Sequence, residues 1–197
     1  MYFWLPRAAF ASKADYQSAL DLIGGRVKME KLNIAAMAFV ALGTNLGDRI
    51  ETLKEAFQQL REISDYPMLK SSFWETTPVD CPPGSGMFLN AVVAMTPKSG
   101  ETPESLLAKL LQIEKKFGRK PKKVLNEPRP LDLDLIAFRN DTRASPELTL
   151  PHPRAHLRRF VLEPLAEIAP ELVLPGQART VQEFLTQLTS AENVRKL

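Results

Sequence analysis

The sequence predicts an α+β fold built on an antiparallel-rich sheet, and three observations point there. Short, β-rich apolar runs alternate with longer stretches whose apolar residues recur every three or four positions. From Ala38 onward their order is strand, helix, strand, strand, helix, strand. The chain of 197 residues is 44% apolar and 25% charged, enough to build a core and too apolar for wholesale disorder.

Residues 1–36 stand apart. Met1 to Ala14 starts apolar but is broken by Pro6 and Arg7, so it lacks the continuous core of a secretory signal. The segment is acid-poor, and Met29 and Met37 offer later starts. It is expected to be an N-terminal extension to a domain over 37–197. Ala38 to Gly43 reads as a buried strand. Asn45 and Asp48 are candidate helix caps, and Asp48 with Glu51 has the spacing of a capping box. Ile50, Leu53, Phe57 and Leu60 then place a helix over 48–62. Two strands follow, over 68–76 and 88–96, separated by a Pro/Gly-rich stretch over 77–86. Thr102 and Pro103 open a second helix, with Leu106, Leu110, Ile113 and Phe117 on its core face and Gly118 as its stop. The next strand, over 131–138, sets Leu131, Leu133 and Leu135 on one face and Asp132 and Asp134 on the other. This is the ferredoxin-like βαββαβ pattern, with both helices on one face of the sheet. A proline-rich passage over 148–153 and extra C-terminal helices near 158–168 and 181–189 complete the chain.

No apolar run approaches the ~18 residues needed to cross a bilayer, so no membrane span is expected. The single cysteine, Cys81, excludes an intrachain disulfide and a cysteine-rich zinc site, and a reducing, cytoplasmic setting fits. The net charge is +3 with a pI near 9.0, a mild excess compatible with anionic ligands. Its distribution is more telling: between Arg119 and Arg129 five positive charges face one negative. The acidic pair Asp132 and Asp134 follows at once. Two carboxylates ~6 Å apart on one strand face repel by roughly 2–3 kcal/mol at an effective dielectric of ~20. A divalent cation removes that penalty, and Mg²⁺ suits two carboxylates with positions left for water and phosphate. The competing reading is a solvated face whose aspartates oppose neighbouring Lys or Arg. Arg119 and Arg129 sit where guanidinium groups can grip phosphate. No Walker-type loop is present, because Gly43-Thr-Asn-Leu-Gly47 lacks the lysine. His152 is held between Pro151 and Pro153, either as a phosphate donor or as a turn residue. Asn90, in an apolar strand, needs a partner if buried, and a planar heterocycle would serve. Cys81 reads as incidental.

These residues fall into a pattern: Ala41-Leu-Gly-Thr-Asn-Leu-Gly-Asp48, Thr76-Thr-Pro78, Phe88-Leu-Asn-Ala91, Ile113-Glu114, Gly118-Arg119, Pro128-Arg-Pro-Leu-Asp-Leu-Asp134 and Leu150-Pro-His-Pro153. In that order they resemble the hydroxymethyl-dihydropterin pyrophosphokinases of folate biosynthesis over about residues 38–175. The resemblance implies an ATP-dependent diphosphotransferase, moving the terminal diphosphate of ATP to the hydroxymethyl group of a reduced pterin and releasing AMP. It implies Asp132 and Asp134 as ligands of two Mg²⁺ ions and Arg119 and Arg129 as the catalytic pair that stabilises phosphate charge. Glu114, His152 and Arg158 match ATP-binding positions, and Lys122 is expected to join them as an electrostatic substitute for loop arginines of the family. Thr76, Phe88, Asn90 and Phe160 match a pterin pocket in which aromatics sandwich the ring.

The pattern departs from the family at Pro130, where threonine is usual, and in the preceding loop at Pro121, Leu125 and Asn126. Two further readings compete. One is a family-like binder of ATP or pterin without turnover, which separate measurements of binding and product would distinguish. The other is a ferredoxin-like RNA-binding module. The strands lack its glycine-aromatic run and carry two aspartates instead, which argues against it, so no nucleic-acid partner is expected. The chain is read as a monomer.

Overall fold

The computed structural model describes residues 33–119 and 127–197. The first strand is β1 (Ala38–Thr44). Helix α1 (Arg49–Glu62) follows, then β2 (Ser64–Lys70), β3 (Trp74–Thr76), β4 (Phe88–Pro97), α2 (Pro103–Lys116) and β5 (Asp132–Phe138). Strand β1 lies antiparallel between β4 and β5, while β2 and β3 run in succession along the far side of β4. This is the ferredoxin-like arrangement the element order predicts. A short hairpin of β6 (Arg143–Ala144) and β7 (Thr149–Leu150) leads to α3 (Arg159–Ile168) and α4 (Val181–Gln187). The chain ends on β8 (Val194–Lys196), which pairs antiparallel with β3 and extends the sheet. Residues 1–32 of the expected extension lie outside the described residues.

Alternation along the strands divides the sheet into two faces. Ala38, Val40 and Leu42 of β1, Leu89, Ala91, Val93 and Met95 of β4, and Leu133 and Leu135 of β5 join one buried cluster with α1 and α2. Leu53, Phe57 and Leu60 come from α1, and Leu106, Leu110 and Ile113 from α2, as their spacing requires. Helix α3 packs on β4 from the other side, burying Val161, Leu162 and Leu165. Among the described residues no helix is long and apolar enough to cross a membrane.

The local signals hold with instructive exceptions. Gly47 turns the chain into α1 at φ 63°, a left-handed backbone that favours glycine. Asp48 caps α1 by accepting from the Glu51 amide at 3.1 Å, but Glu51 turns to Lys54, so only half a capping box forms. Thr102 and Ser105 form the full box at α2. The last helix, expected over 181–189, ends at Gln187. The single strand expected over 68–76 is two strands. Between the pairs Lys70–Val93 and Trp74–Asn90, four steps on one strand oppose three on the other. Ser71 sits at the break, where its amide donates to the Val92 carbonyl at 2.9 Å and its hydroxyl accepts from the Val92 amide at 3.0 Å. The extra residue inverts the faces, turning Thr76 away from the helices and toward the opposite side.

Candidate active site

On the sheet face away from α1 and α2, a cleft of ≈ 250 Å³ opens above β1. Its floor follows from register. Gly43 stands between Asn90 on β4 and Asp132 on β5, and Ala41 stands opposite Asp134. Small side chains on the central strand leave room, and the polar residues of the flanking strands project into it. Gly43 has a specific reason to lack a side chain: a Cβ there would lie 2.9 Å from the Asn90 Oδ1.

One side of the cleft is charged. Asp132 accepts from Arg119 at 2.7 Å on one oxygen and from Arg129 at 3.0 Å on the other. This part of the solvated-face reading is correct, since Asp132 does oppose two arginines. Asp134 differs. It keeps 39% of its side chain exposed, with Arg158 no closer than 3.9 Å. Partial burial and then the charge of Asp132 hold its carboxyl above the ordinary carboxylate range. His152 and Arg158 both line the cleft. Burial pushes the His152 imidazole below its usual value; Arg158 is lowered by burial and then by the Arg154 charge. The His152 amide donates to the Ile136 carbonyl at 2.8 Å, anchoring the Pro151–Pro153 segment beside β5.

The other side is apolar and hydrogen-bonding. Asn90, 5% exposed, donates from Nδ2 to the Thr76 hydroxyl at 2.7 Å. Phe88 and Phe160 line the same cleft. The Arg158 guanidinium stacks 5.3 Å from the Phe160 ring centre, linking the two sides.

Glu114 and Arg119 stand behind this surface. Glu114, at the end of α2, is 1% exposed. Its Oε1 accepts from Arg119 and, at 2.7 Å, from the Leu133 amide on the free edge of β5. Burial raises its carboxyl above the ordinary range. Glu114 therefore braces Arg119 and the strand that carries the aspartates rather than lining the cleft. Lys122, with the substituted positions Pro121, Leu125 and Asn126, lies outside the described residues.

The sequence reading missed several participants. Asn45, offered there as a helix cap, instead accepts from the Arg129 amide at 3.0 Å and fixes the backbone before the aspartates. Buried Asn45 Nδ2, Arg129 Nε and Glu114 Oε2 find no partner among the described residues. Arg154 lines the cleft, as does Cys81, which reads as incidental in the sequence. Gly43 and Asn45 left a sequence trace, both within the Ala41–Asp48 motif, Gly43 as the glycine ending a strand and Asn45 as a candidate cap.

The donor set bears on metal binding. Among the described residues no cluster of three His, Cys, Asp or Glu could enclose an ion. Two carboxylates facing an open cleft instead match the way Mg²⁺ is held, by one or two carboxylates with water and phosphate oxygens.

Comparison with known proteins agrees with this arrangement. Residues 39–170 match the family model described as 7,8-dihydro-6-hydroxymethylpterin-pyrophosphokinase. A Synechocystis protein named 2-amino-4-hydroxy-6-hydroxymethyldihydropteridine pyrophosphokinase is 36% identical over 151 residues, covering 77% of this chain and 75% of its own. A Bacillus subtilis protein of the same name is 38% identical over 137 residues, covering 69% and 80%. Among solved structures, Plasmodium falciparum HPPK-DHPS superposes with a TM-score of 0.60 at 15% identity, over 77% of this chain and 45% of that one. That likeness speaks for the fold alone, and this chain spans just under half of the larger protein. Sequence match and cleft converge on one conclusion: the chain belongs to the 7,8-dihydro-6-hydroxymethylpterin-pyrophosphokinase family.

Proposed function

We propose that this pyrophosphokinase of folate biosynthesis uses the cleft above β1 to carry diphosphate from ATP to 6-hydroxymethyl-7,8-dihydropterin. The observation that supports it is the row Asn90–Gly43–Asp132, which sets a heterocycle-reading amide and a phosphate-side carboxylate on opposite flanks of one glycine. The pterin ring lies between Phe88 and Phe160, with Asn90 and Thr76 reading its polar edge. Its hydroxymethyl oxygen then points across Gly43 toward the charged side.

There the hydroxymethyl oxygen attacks the β-phosphorus of ATP. The bond from that phosphorus to the α-bridging oxygen breaks, AMP leaves, and the hydroxyl proton is lost to solvent. Arg119 and Arg129 stabilise the charge that shifts among the phosphate oxygens, while Arg158 and His152 hold the nucleotide. Both arginines already have carboxylate partners, so they are oriented before substrate arrives. Asp132 and Asp134 would hold Mg²⁺, two ions in the family pattern, which neutralises triphosphate charge and lowers the pKa of a bound hydroxyl. Positioning provides much of the remaining acceleration.

The test is incubation with ATP, Mg²⁺ and the hydroxymethyl-pterin, with AMP resolved from ADP by chromatography. AMP formed only when pterin is present is the expected result. ADP as the product would overturn diphosphate transfer, and binding of both ligands without any product would favour the binder without turnover.

A further inference from the structure

The C-terminal tail lies beyond the family-matched segment, which ends at residue 170, yet it touches the cleft at two points. The first is the start of α3. Arg158 occupies the N-cap, and among the described residues it makes no side-chain cap bond. The Phe160 amide, part-buried in the first turn, is satisfied from 32 positions downstream, where Glu192 Oε2 accepts from it at 2.9 Å. A carboxylate at a helix N-terminus is also favoured by the helix dipole. The second point is the strand end after Thr76. The Thr77 amide donates to the Asn193 carbonyl at 3.1 Å, and the Asn193 amide donates to the Thr77 hydroxyl at 3.2 Å. Beyond it, β8 pairs Val194 with Thr76, and Lys196 reaches Glu167 of α3 at 2.9 Å. Glu167 in turn accepts from Ser72 and Trp74 around the β3 bulge.

Phe160 and Thr76 share no hydrogen bond among the described residues; their elements are joined at the far end of α3, where Glu167 takes Trp74, and at the cleft end by the tail. The tail bridges them through adjacent residues. We propose that Glu192 and Asn193 are positioning residues for the pterin half of the cleft, fixing the distance between the Phe160 ring and the Thr76–Asn90 edge. This rests on the pterin-pocket reading above. The charged half is held independently, by Glu114 and Asn45.

The test compares full-length Glu192→Ala, Glu192→Gln, Thr77→Val and Phe160→Ala with the parent. Losing one such hydrogen bond is expected to raise the KM for pterin about 3- to 10-fold in Glu192→Ala and Thr77→Val, with the KM for ATP unchanged. Glu192→Gln, whose amide oxygen can still accept from Phe160, should return toward the parent value. If Glu192→Ala lowers the melting temperature without moving the pterin KM, or raises both KM values alike, the tail is only a structural cap and the proposal fails. Should Glu192→Ala fail to fold, Thr77→Val still decides, and a parent-like pterin KM there overturns the proposal. Phe160→Ala separates the two readings: an unchanged pterin KM there overturns the pocket, whereas a raised one beside an unchanged Glu192→Ala overturns the tail alone.

Discussion

At position 43 the absence of a side chain decides what the cleft can hold. Asn90 and Asp132 flank Gly43 in register, and a Cβ would press to within 2.9 Å of the Asn90 Oδ1. Gly43→Ala should therefore displace the Asn90 amide from Thr76 and weaken pterin binding about 10-fold, with ATP affinity and melting temperature little changed. Ligand titration by fluorescence checks this, and parent-like pterin affinity would contradict it. The two aspartates show how far residue-level reading goes. Their shared strand face was legible from alternation alone. Their unlike environments were not, because Asp132 meets arginines 3 and 13 positions away while Asp134 meets neither. Glu114 carries the same lesson: a carboxylate on an apolar helix face makes sense only once the free edge of β5 lies against it.

Among elements, β3 is the most consequential and was the least legible. Caps, stops and periodicity marked α1 and α2 closely, since those signals are local. The bulge that turns Thr76 into the cleft arises from Ser71 engaging Val92, 21 positions away, and no local pattern announces it. Strand β8 has three residues, Val194–Lys196, two of them charged, and exists because β3 offers an open edge. The same strand carries Glu75, whose carboxylate takes Arg49 of α1 at 2.9 Å and Arg195 of β8 at 2.9 Å. Hydrogen bonds from Arg49 and then Arg195 hold it below its ordinary value of 4.5. A depressed folded-state value means the stabilisation is present above 4.5 and is lost as pH falls through the lower, folded value. The melting-temperature gap between the parent and Glu75→Gln should be open at pH 7 and close as pH drops below 4.5. A gap that persists unchanged into acid would contradict the ion pairs.

At the scale of the molecule, one cleft gathers Thr76 from β3, Asn90 from β4, Asp132 and Asp134 from β5 and Phe160 from α3. Residue types and the βαββαβ order pointed to this class of fold, and the motif resemblance supplied the roles. What brings the roles together is the sheet order β5–β1–β4–β3, in which Ala41 and Gly43 of β1 lie between the polar residues of β5 and β4. We propose above all that Asp134 serves phosphate chemistry rather than the fold. The direct measurement is AMP formation by Asp134→Asn at saturating ATP, Mg²⁺ and pterin, with pterin affinity recorded beside it. A loss of at least ~100-fold in turnover is expected, with pterin affinity and melting temperature retained. Turnover at the parent rate would contradict it.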